Sequence, residues 1–265
     1  MQSHSRIATS RDLPAGVLRQ IADSLLNLVY PDCCIVCSSE VSRLRDCGVC
    51  ESCWHNVQLL RISRPWCASC GLPFQSFEAD DIGRLCGRCS VETPPYSGAR
   101  SFGYYRGELS RLIQEFKFHD RRNLARLLGP LLAQTFLDTW QRTQADLIIP
   151  LPLHSSRKRE RGFNQAALLA KWLSRHLILP YSERALSRVR RTAPQIGLSD
   201  AARFANVRSA FRCPNRDLIR GVSVLLVDDV MTTGATLTSA SLALVEAGVR
   251  RVSVLTVARA VPGVE

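Results

Sequence analysis

Two consecutive carboxylates begin the segment of this sequence that is best suited to chemistry. Asp228 and Asp229 follow the apolar run at residues 222–227, and a turn rich in threonine and glycine comes directly after them. Carboxylates at the end of a buried strand can accept hydrogen bonds from the vicinal hydroxyls of a sugar, and the N-terminus of the following helix favours a phosphate. The segment therefore predicts a cradle for a ribose 5-phosphate, formed by Asp228, Asp229, Met231, Thr232, Thr233, Gly234, Ala235 and Thr236.

A strongly basic segment, LPLHSSRKRERGFNQ at residues 151–165, follows a second apolar run that we predict to be a buried strand. It therefore starts at the same edge of a parallel sheet as the two carboxylates. Arg157 and Arg161 supply positive charge, and Asn164 is a suitable N-cap for the next helix. Two interpretations stay open: a loop, starting at Leu151, that holds an anionic group beside the cradle, or a solvated basic face.

A second basic stretch covers residues 188–211 and has no apolar periodicity at its start. We expect a flexible loop that closes over the site and excludes water, with the wall of a nucleic-acid groove as the alternative. The residues singled out in it are Arg188, Arg191, Gln195 and Arg203. Lys117, in the segment FKFHDRR, is either a phosphate ligand or part of a solvated helix end, and we favour the helix end.

The cysteines form two groups with the spacing of zinc ligands. Ten of the eleven lie between Cys33 and Cys89, and Cys-x2-Cys pairs recur within that stretch. Two such pairs complete a closed tetrahedral site, so we predict two structural Zn²⁺ ions and no catalytic metal among the cysteines. A disulfide framework is the alternative, and Cys47 could replace a ligand of the first site. The predicted ligands are Cys34, Cys37, Cys50 and Cys53 in the first group, and Cys67, Cys70, Cys86 and Cys89 in the second.

Apolar runs and helical periodicities alternate along the chain after the cysteines. Continuous apolar strands that alternate with helices indicate an α/β fold with a parallel sheet covered on both faces. Before the cysteines, apolar residues recur at helical spacing, which predicts an amphipathic helix that packs on the rest of the chain or, alternatively, lies on a membrane surface. We therefore divide the chain into a helical lead-in at 1–30, a small double zinc-ribbon module at 31–92 and an α/β domain at 98–262.

Composition excludes several classes of protein. The chain has 265 residues, of which 46% are hydrophobic and 22% charged, so disorder is excluded. No apolar run is long enough to span a membrane, and the first residues show no secretion signal, so we expect a reducing, cytoplasmic location. The net charge of +12 suggests an anionic partner. Arginine-rich codon usage is an equally good explanation of the bulk charge.

Residues 224–236, VLLVDDVMTTGAT, resemble the phosphoribosyl pyrophosphate (PRPP) motif of type I phosphoribosyltransferases. The order of the cysteine pairs, FKFHDRR, RERGFNQ and DDVMTTGAT resembles the ComF/GntX family of competence-associated proteins. The resemblance implies a type I phosphoribosyltransferase fold, PRPP bound with Mg²⁺, and a basic loop that holds the pyrophosphate. It also implies a role in the uptake or use of external DNA.

Three functions are compatible with these features. The first is a phosphoribosyltransferase with an unknown acceptor, in which Asp229 is the candidate catalytic residue, although no base-binding pattern is recognisable. The second is a protein that binds single-stranded DNA, with Trp54, Trp66 and Tyr104 as stacking groups or, alternatively, as core residues. The third is an adaptor whose ribbons bind a competence or recombination protein. We favour a PRPP-binding protein that acts in DNA uptake.

Overall fold

The computed structural model describes residues 33–40, 47–74, 83–141, 144–190 and 210–263. The predicted lead-in helix, Arg191, Gln195 and Arg203 lie outside these ranges. The helices are α1 Glu51–Leu59, α2 Gly87–Val91, α3 Gly107–Phe118, α4 Ala125–Thr139, α5 Ser155–Arg161, α6 Gln165–Leu177 and α7 Ala235–Glu246, with a 3-10 turn at Arg122–Leu124. The strands are β1 Gly98–Tyr104, β2 Leu147–Pro150, β3 Ser187–Arg188, β4 Phe211–Arg212, β5 Ser223–Met231 and β6 Arg251–Arg259.

A four-stranded parallel sheet forms the centre of the described structure. Its strand order is β1-β6-β5-β2, and the register places Val227 of β5 beside Leu255 of β6 and Pro150 of β2. The two central strands are almost completely buried. Strands buried on both faces need apolar residues at successive positions, which explains the continuous runs in the sequence. The predicted α/β class with a parallel sheet is confirmed.

Successive residues of β5 contribute to two different hydrophobic clusters, one on each face of the sheet. Leu225 and Val227 pack with α3, α4 and α6, whereas Val224 and Leu226 pack with α7. Side chains alternate across a strand, so one continuous apolar run serves both layers. Helices α4 and α6 approach closely at Gly129, where an added Cβ would lie 2.4 Å from the ring of Trp172.

The cysteine module docks along β1, the edge strand of the sheet. The backbone N–H of Ile62 donates to the carbonyl of Phe102 (2.8 Å), and the N–H of Ala99 donates to the carbonyl of Ser69 (2.7 Å). Gly71 has a φ of +69°, and an added Cβ would lie 2.3 Å from the Ala99 carbonyl oxygen. The module therefore shields polar groups of an edge strand that would otherwise face solvent.

Two local features differ from the simple sequence pattern. The basic segment predicted as a loop contains α5, which begins at the N-cap His154 and ends at Gly162 with a φ of +78°. The residues between these caps are mostly good helix formers. Strand β5 continues through the two carboxylates as far as Met231, because β6 pairs with it along that whole length.

Within the described ranges, no helix has the length and apolarity needed to cross a membrane.

Candidate functional site

The two carboxylates lie near the carboxyl end of β5, the strand that pairs with β2 on one side and β6 on the other. Asp228 is half-buried and Asp229 is buried. Because they are adjacent in a strand, their side chains leave the sheet on opposite faces. The backbone N–H of Asp229 donates to Oδ1 of Asp228 at 2.8 Å, which fixes the Asp228 carboxyl.

A tight turn joins these carboxylates to α7. Gly234 is the N-cap of α7 with a φ of +81°, a left-handed conformation that favours glycine. The hydroxyl of Thr233 lies 3.4 Å from the backbone N of Ala235. A 12-residue helix therefore begins at Ala235, after β5 ends at Met231 and the chain turns at residues 232–234. The helix N-terminus adds a favourable field for an anion at this point. We call residues 232–236 the phosphate loop.

Lys117 is not part of a solvated helix end. The interpretation that we favoured from the sequence is therefore wrong. It lies in the last turn of α3, and its Nζ atom is 2.7 Å from Oδ1 of Asp229, with only 18% of its side chain exposed. Burial alone would lower the pKa of Lys117, but the Asp229 carboxylate outweighs burial and the pKa is raised. The sequence hides this contact because α3 and β5 are far apart along the chain.

Three arginines add positive charge to the same region. Arg161 of α5 interacts electrostatically with both carboxylates and with Arg157. Arg188 of β3 interacts with Arg157 and with Asp228. Burial is the main cause that lowers the pKa of Arg161 and of Arg188, although both guanidinium groups remain cationic. The structure therefore brings two predicted basic segments to the carboxylates.

The pKa of Asp228 is strongly displaced. Burial and the neighbouring Asp229 carboxylate raise it to about 8, against opposing effects of Lys117 and Arg188. A carboxyl group with this pKa is largely protonated at neutral pH. Perturbed carboxyl groups in a cluster of cations are a common property of functional sites.

Leu151 and Asn164 hold the two ends of the α5 segment together. The side-chain amide of Asn164 donates to the Leu151 carbonyl at 3.1 Å, and its Oδ1 accepts from the N–H of Ala166 at 3.1 Å. Asn164 is therefore the N-cap of α6, as its position in the sequence suggested. Its second hydrogen bond positions the basic segment relative to β2.

Each cysteine tetrad forms a compact cluster. Within each group the four Sγ atoms lie within 4.8 Å of one another. The Cys37–Cys50 and Cys70–Cys86 Sγ distances are 3.8 Å and 3.7 Å. A tetrahedral site with Zn–S bonds of about 2.3 Å has S–S edges of about 3.8 Å, so the spacing fits a four-thiolate zinc site.

Backbone N–H groups also point at the sulfur atoms. Cys34 Sγ accepts from the N–H groups of Val36 and Cys50, and Cys67 Sγ accepts from those of Cys70 and Cys86, at distances of 3.3 to 3.5 Å. Such donors stabilise thiolate rather than thiol. The two four-cysteine groups are thus consistent with the predicted structural zinc sites.

The remaining cysteines lie outside both clusters. Cys47 donates from its thiol to the carbonyl of Asn123 at 3.2 Å, which separates it from the first group. Cys33 is exposed, and Cys213 is buried with its thiol 3.4 Å from the Ala243 carbonyl. Burial raises the pKa of the Cys213 thiol.

Two arginines that the sequence did not single out connect the second four-cysteine group to the phosphate loop and to Met231, the residue before it. Arg88, between two zinc-ligand cysteines, donates to the carbonyl of Thr233 at 2.6 Å. Arg259, at the end of β6, donates to the carbonyl of Cys70 at 2.8 Å and lies 2.9 Å from Sδ of Met231. Neither arginine belongs to a run of charges, so only the fold reveals these links.

The three candidate stacking rings are half-buried. Trp54 packs against the main core, whereas Arg64 and Arg100 lie over the ring of Trp66, with ring-centroid distances of 5.4 and 5.1 Å. Arg106 lies over Tyr104 at 5.3 Å. Two of the three rings therefore lie in arginine-rich surroundings.

Comparison with known proteins shows close similarity to DNA-related proteins. Residues 25–90 match the model of a double zinc ribbon domain. The chain is 36% identical to competence protein F of Haemophilus influenzae over 232 residues, covering 86% of this chain and 96% of that protein. It is 34% identical to DNA utilization protein YhgH of Escherichia coli K12 over 230 residues, with the same coverage. Competence protein ComFC of Bacillus subtilis is 29% identical over 237 residues, covering 81% and 89%.

Solved structures with partial similarity include two proteins whose names refer to phosphoribosyl chemistry. The glutamine PRPP amidotransferase of B. subtilis has 24% identity and a TM-score of 0.35, covering 51% of this chain and 26% of that one. The purine phosphoribosyltransferase of Pyrococcus horikoshii has 14% identity and a TM-score of 0.32, covering 51% and 81%.

Proposed function

The chain belongs to the family of competence protein F and DNA utilization protein YhgH, and from this premise we propose that it acts in the uptake or use of external DNA and binds PRPP. The observation that carries the PRPP proposal is that Asp228 and Asp229 precede the turn into α7 and interact with a lysine and two arginines. The phosphate loop and the N-terminus of α7 follow the end of β5 in the chain. Lys117, Arg157, Arg161 and Arg188 supply the positive charge around the carboxylates.

PRPP has the matching pattern of charge. It carries a phosphate at one end, a pyrophosphate at the other and a vicinal diol between them. The first turn of α7 suits the 5′-phosphate, because the N–H groups of a first helical turn and the helix dipole favour an anion there. Carboxylates suit the diol, since they accept hydrogen bonds from both hydroxyls. The arginines of α5 and β3 suit the pyrophosphate.

Magnesium fits the same donor set. Mg²⁺ usually binds through one or two carboxylates together with substrate phosphates, and Asp228 and Asp229 supply carboxylate oxygens here. The ion would neutralise charge on the departing pyrophosphate. Lys117 already holds Asp229 in place, which supports a positioning role for that carboxylate in addition to the catalytic role we proposed from the sequence.

Transfer of the phosphoribosyl group is the reaction that such a complex would support. The bond from C1′ to pyrophosphate breaks, a bond from C1′ to an acceptor nucleophile forms, and the acceptor loses a proton. Positioning and electrostatic stabilisation supply most of the acceleration in reactions of this kind.

Calorimetry with PRPP and Mg²⁺ tests the binding proposal. We expect saturable binding by the wild type and at least about tenfold weaker binding by Asp228→Asn with Thr236→Val. Arg175→Ala is the charge control, because Arg175 is exposed in the last turn of α6, far along that helix from the site. Absence of PRPP binding by the wild type would refute the site assignment. Pyrophosphate release in the presence of candidate acceptors then separates an enzyme from a binding protein.

Binding of single-stranded DNA is the second function that we propose. The observation that favours it is the arginine-flanked Trp66 and Tyr104 along the β1 edge, since base stacking on aromatic rings and contacts from arginine are typical of single-strand grooves. The slope of log affinity against log salt counts the phosphates engaged. A slope near zero, or loss of binding at physiological salt, would contradict this function.

A further inference from the structure

A cavity of 380 Å³ lies between the second four-cysteine group and the phosphate loop. Four chain segments that are distant in sequence form it: residues 70–72, residues 86–96, residues 232–238, and residues 259–262 at the end of β6. Its volume lies within the range of about 300–1,000 Å³ that is typical of small-molecule sites. The cavity therefore exists only because the cysteine module docks on the sheet.

The cavity has a buried floor and an exposed rim. Arg259 and Tyr96, at 6% and 5% exposure, lie at the floor. Glu92, Thr93 and Thr232 are exposed at the rim. A small molecule can thus enter from solvent and reach a buried guanidinium group.

Hydrogen-bond donors dominate the polar lining. Arg259 and Arg88 are cationic, and the hydroxyl groups of Thr232, Thr233 and Thr238 and of Tyr96 can donate, whereas Glu92 supplies the one carboxylate among the described lining residues. Nε of Arg259 is buried and has no hydrogen-bond partner within the described part of the chain. The other nitrogens of Arg259 contact Cys70, since Nη1 donates to the Cys70 carbonyl at 2.8 Å and Nη2 lies 3.6 Å from Cys70 Sγ. Arg259 therefore links the floor of the cavity to the cysteine group, and the exposed donors of the lining include those of Arg88 and Thr232.

The rest of the lining is apolar and flat. Leu72, Pro94, Pro95, Val261 and Pro262 line the walls. Proline and valine side chains provide rigid surfaces with few polar atoms, which suit the faces of a planar ring. The combination of apolar walls with cationic and hydroxyl donors selects a planar molecule that carries acceptor or acidic groups on its edge.

We propose that this cavity is a second ligand site, for a small planar acid or oxo-heterocycle. It extends beyond the predicted ribose-phosphate cradle, because it includes Thr232 and Thr233 of the cradle but neither Asp228 nor Asp229. The two sites share Thr232 and Thr233, so occupation of the cavity changes the phosphate loop and therefore the affinity for a phosphate ligand. The cavity site does not depend on whether the loop binds PRPP.

Four probes distinguish the chemistry of the ligand. Uracil is an oxo-heterocycle, benzoate is an aromatic acid, orotate is both, and benzylamine is a cation of similar size. We expect orotate to bind the full-length protein most tightly in ligand-observed NMR titrations, and benzylamine to bind at least about tenfold more weakly than benzoate. A preference for uracil over benzoate would identify the heterocycle, and the reverse preference would identify the carboxylate.

Val261→Trp tests the location of the site. The indole fills part of the cavity without removing any residue of the phosphate loop, so orotate binding weakens at least about tenfold while inorganic phosphate binding at the loop persists. Leu242→Trp is the matched control, because it adds the same indole to an exposed position of α7. Melting temperature checks that both variants fold.

Three results would overturn the proposal: no saturation by any probe up to about 10 mM, equal binding of orotate to wild type and Val261→Trp, or binding of benzylamine as tight as that of orotate. Failure of PRPP to bind the wild type would refute the proposed function instead. Orotate binding that is lost in Val261→Trp would support the cavity site even in that case.

Discussion

The Nζ atom of Lys117 in α3 lies 2.7 Å from Oδ1 of Asp229 in β5, and both side chains are largely buried. The pair joins the helical layer to the carboxyl edge of the sheet at the point where the phosphate loop begins. Removal of one member leaves an uncompensated buried charge, which is more costly than the loss of the interaction itself. Breaking the pair therefore destabilises the fold and also changes the electrostatics of the site.

Lys117→Met should lower the free energy of unfolding by about 3 kcal/mol, because Asp229 then remains buried without its partner. Denaturant unfolding measures the change. Arg250→Met is the control: its partner Asp146 is 2.8 Å away, but both side chains are half-exposed, so the loss should stay below about 1 kcal/mol. Equal effects of the two substitutions would contradict the importance of burial at Lys117.

PRPP affinity should rise with pH until about pH 8 and then level off. Burial and Asp229 raise the pKa of Asp228 to about 8, and acceptance of hydrogen bonds from ribose hydroxyls favours the ionised carboxylate. Below that pKa the ionised fraction falls about tenfold per pH unit. Calorimetry from pH 6 to pH 9 measures the profile. In Asp228→Asn, the rise of PRPP affinity with pH that comes from the Asp228 carboxyl should vanish. If the affinity of this variant depends on pH as that of the wild type does, the titrating group is not Asp228.

Asp228→Asn should also reduce the loss in the free energy of unfolding that accompanies a rise in pH toward about 8. The folded protein retains the Asp228 proton up to about pH 8, whereas an unfolded aspartate loses it near 3.8. The folded state therefore binds more protons between these values, and the free energy of unfolding falls as pH rises through that window. The slope is at most about 1.4 kcal/mol per pH unit. Thermal unfolding at pH 5 and pH 8 should show the asparagine variant gaining relative stability at pH 8.

Loss of the second four-cysteine group should weaken phosphate binding more than loss of the first. Arg88 and Arg259 connect the second group to Thr233 and Met231. Cys67→Ser with Cys86→Ser should reduce the zinc content by one ion and lower PRPP affinity at least about tenfold. Cys34→Ser with Cys37→Ser is the matched control, because that cluster packs against α3 instead. Equal losses of affinity in both variants would show that the second group has no special connection to the loop.

Gly234→Ala should weaken PRPP binding by about 1–2 kcal/mol, because alanine is strained at a φ of +81° and the turn must change to relieve the strain. Gly248→Ala introduces the same kind of strain at a φ of +91° beyond the other end of α7, so it should lower stability without changing affinity. Calorimetry and thermal unfolding of the two variants separate the effects. A Gly248→Ala protein that loses as much affinity as Gly234→Ala would contradict the local explanation.

Local spacing in the sequence was sufficient to predict the two cysteine tetrads, the parallel sheet and the glycine turn into α7. These features depend on residues that are close together in the chain: a Cys-x2-Cys pair forms one knuckle, and a buried strand needs consecutive apolar residues. The helical character of α5 was missed because its residues are almost all polar, so no apolar period marked it. Its caps, His154 and Gly162, were the signals that remained.

The tertiary structure alone decided which distant residues meet at the phosphate loop. Lys117 and Asp229 are separated by more than one hundred positions, as are Cys70 and Arg259, and no local pattern specifies such pairs. Their contacts depend on the strand order β1-β6-β5-β2 and on the docking of the cysteine module along β1. The sequence by itself thus determined the two cysteine clusters and the strand–turn–helix that follows β5. Long-range packing determined that the second cysteine group, a buried lysine and the phosphate loop form one connected region.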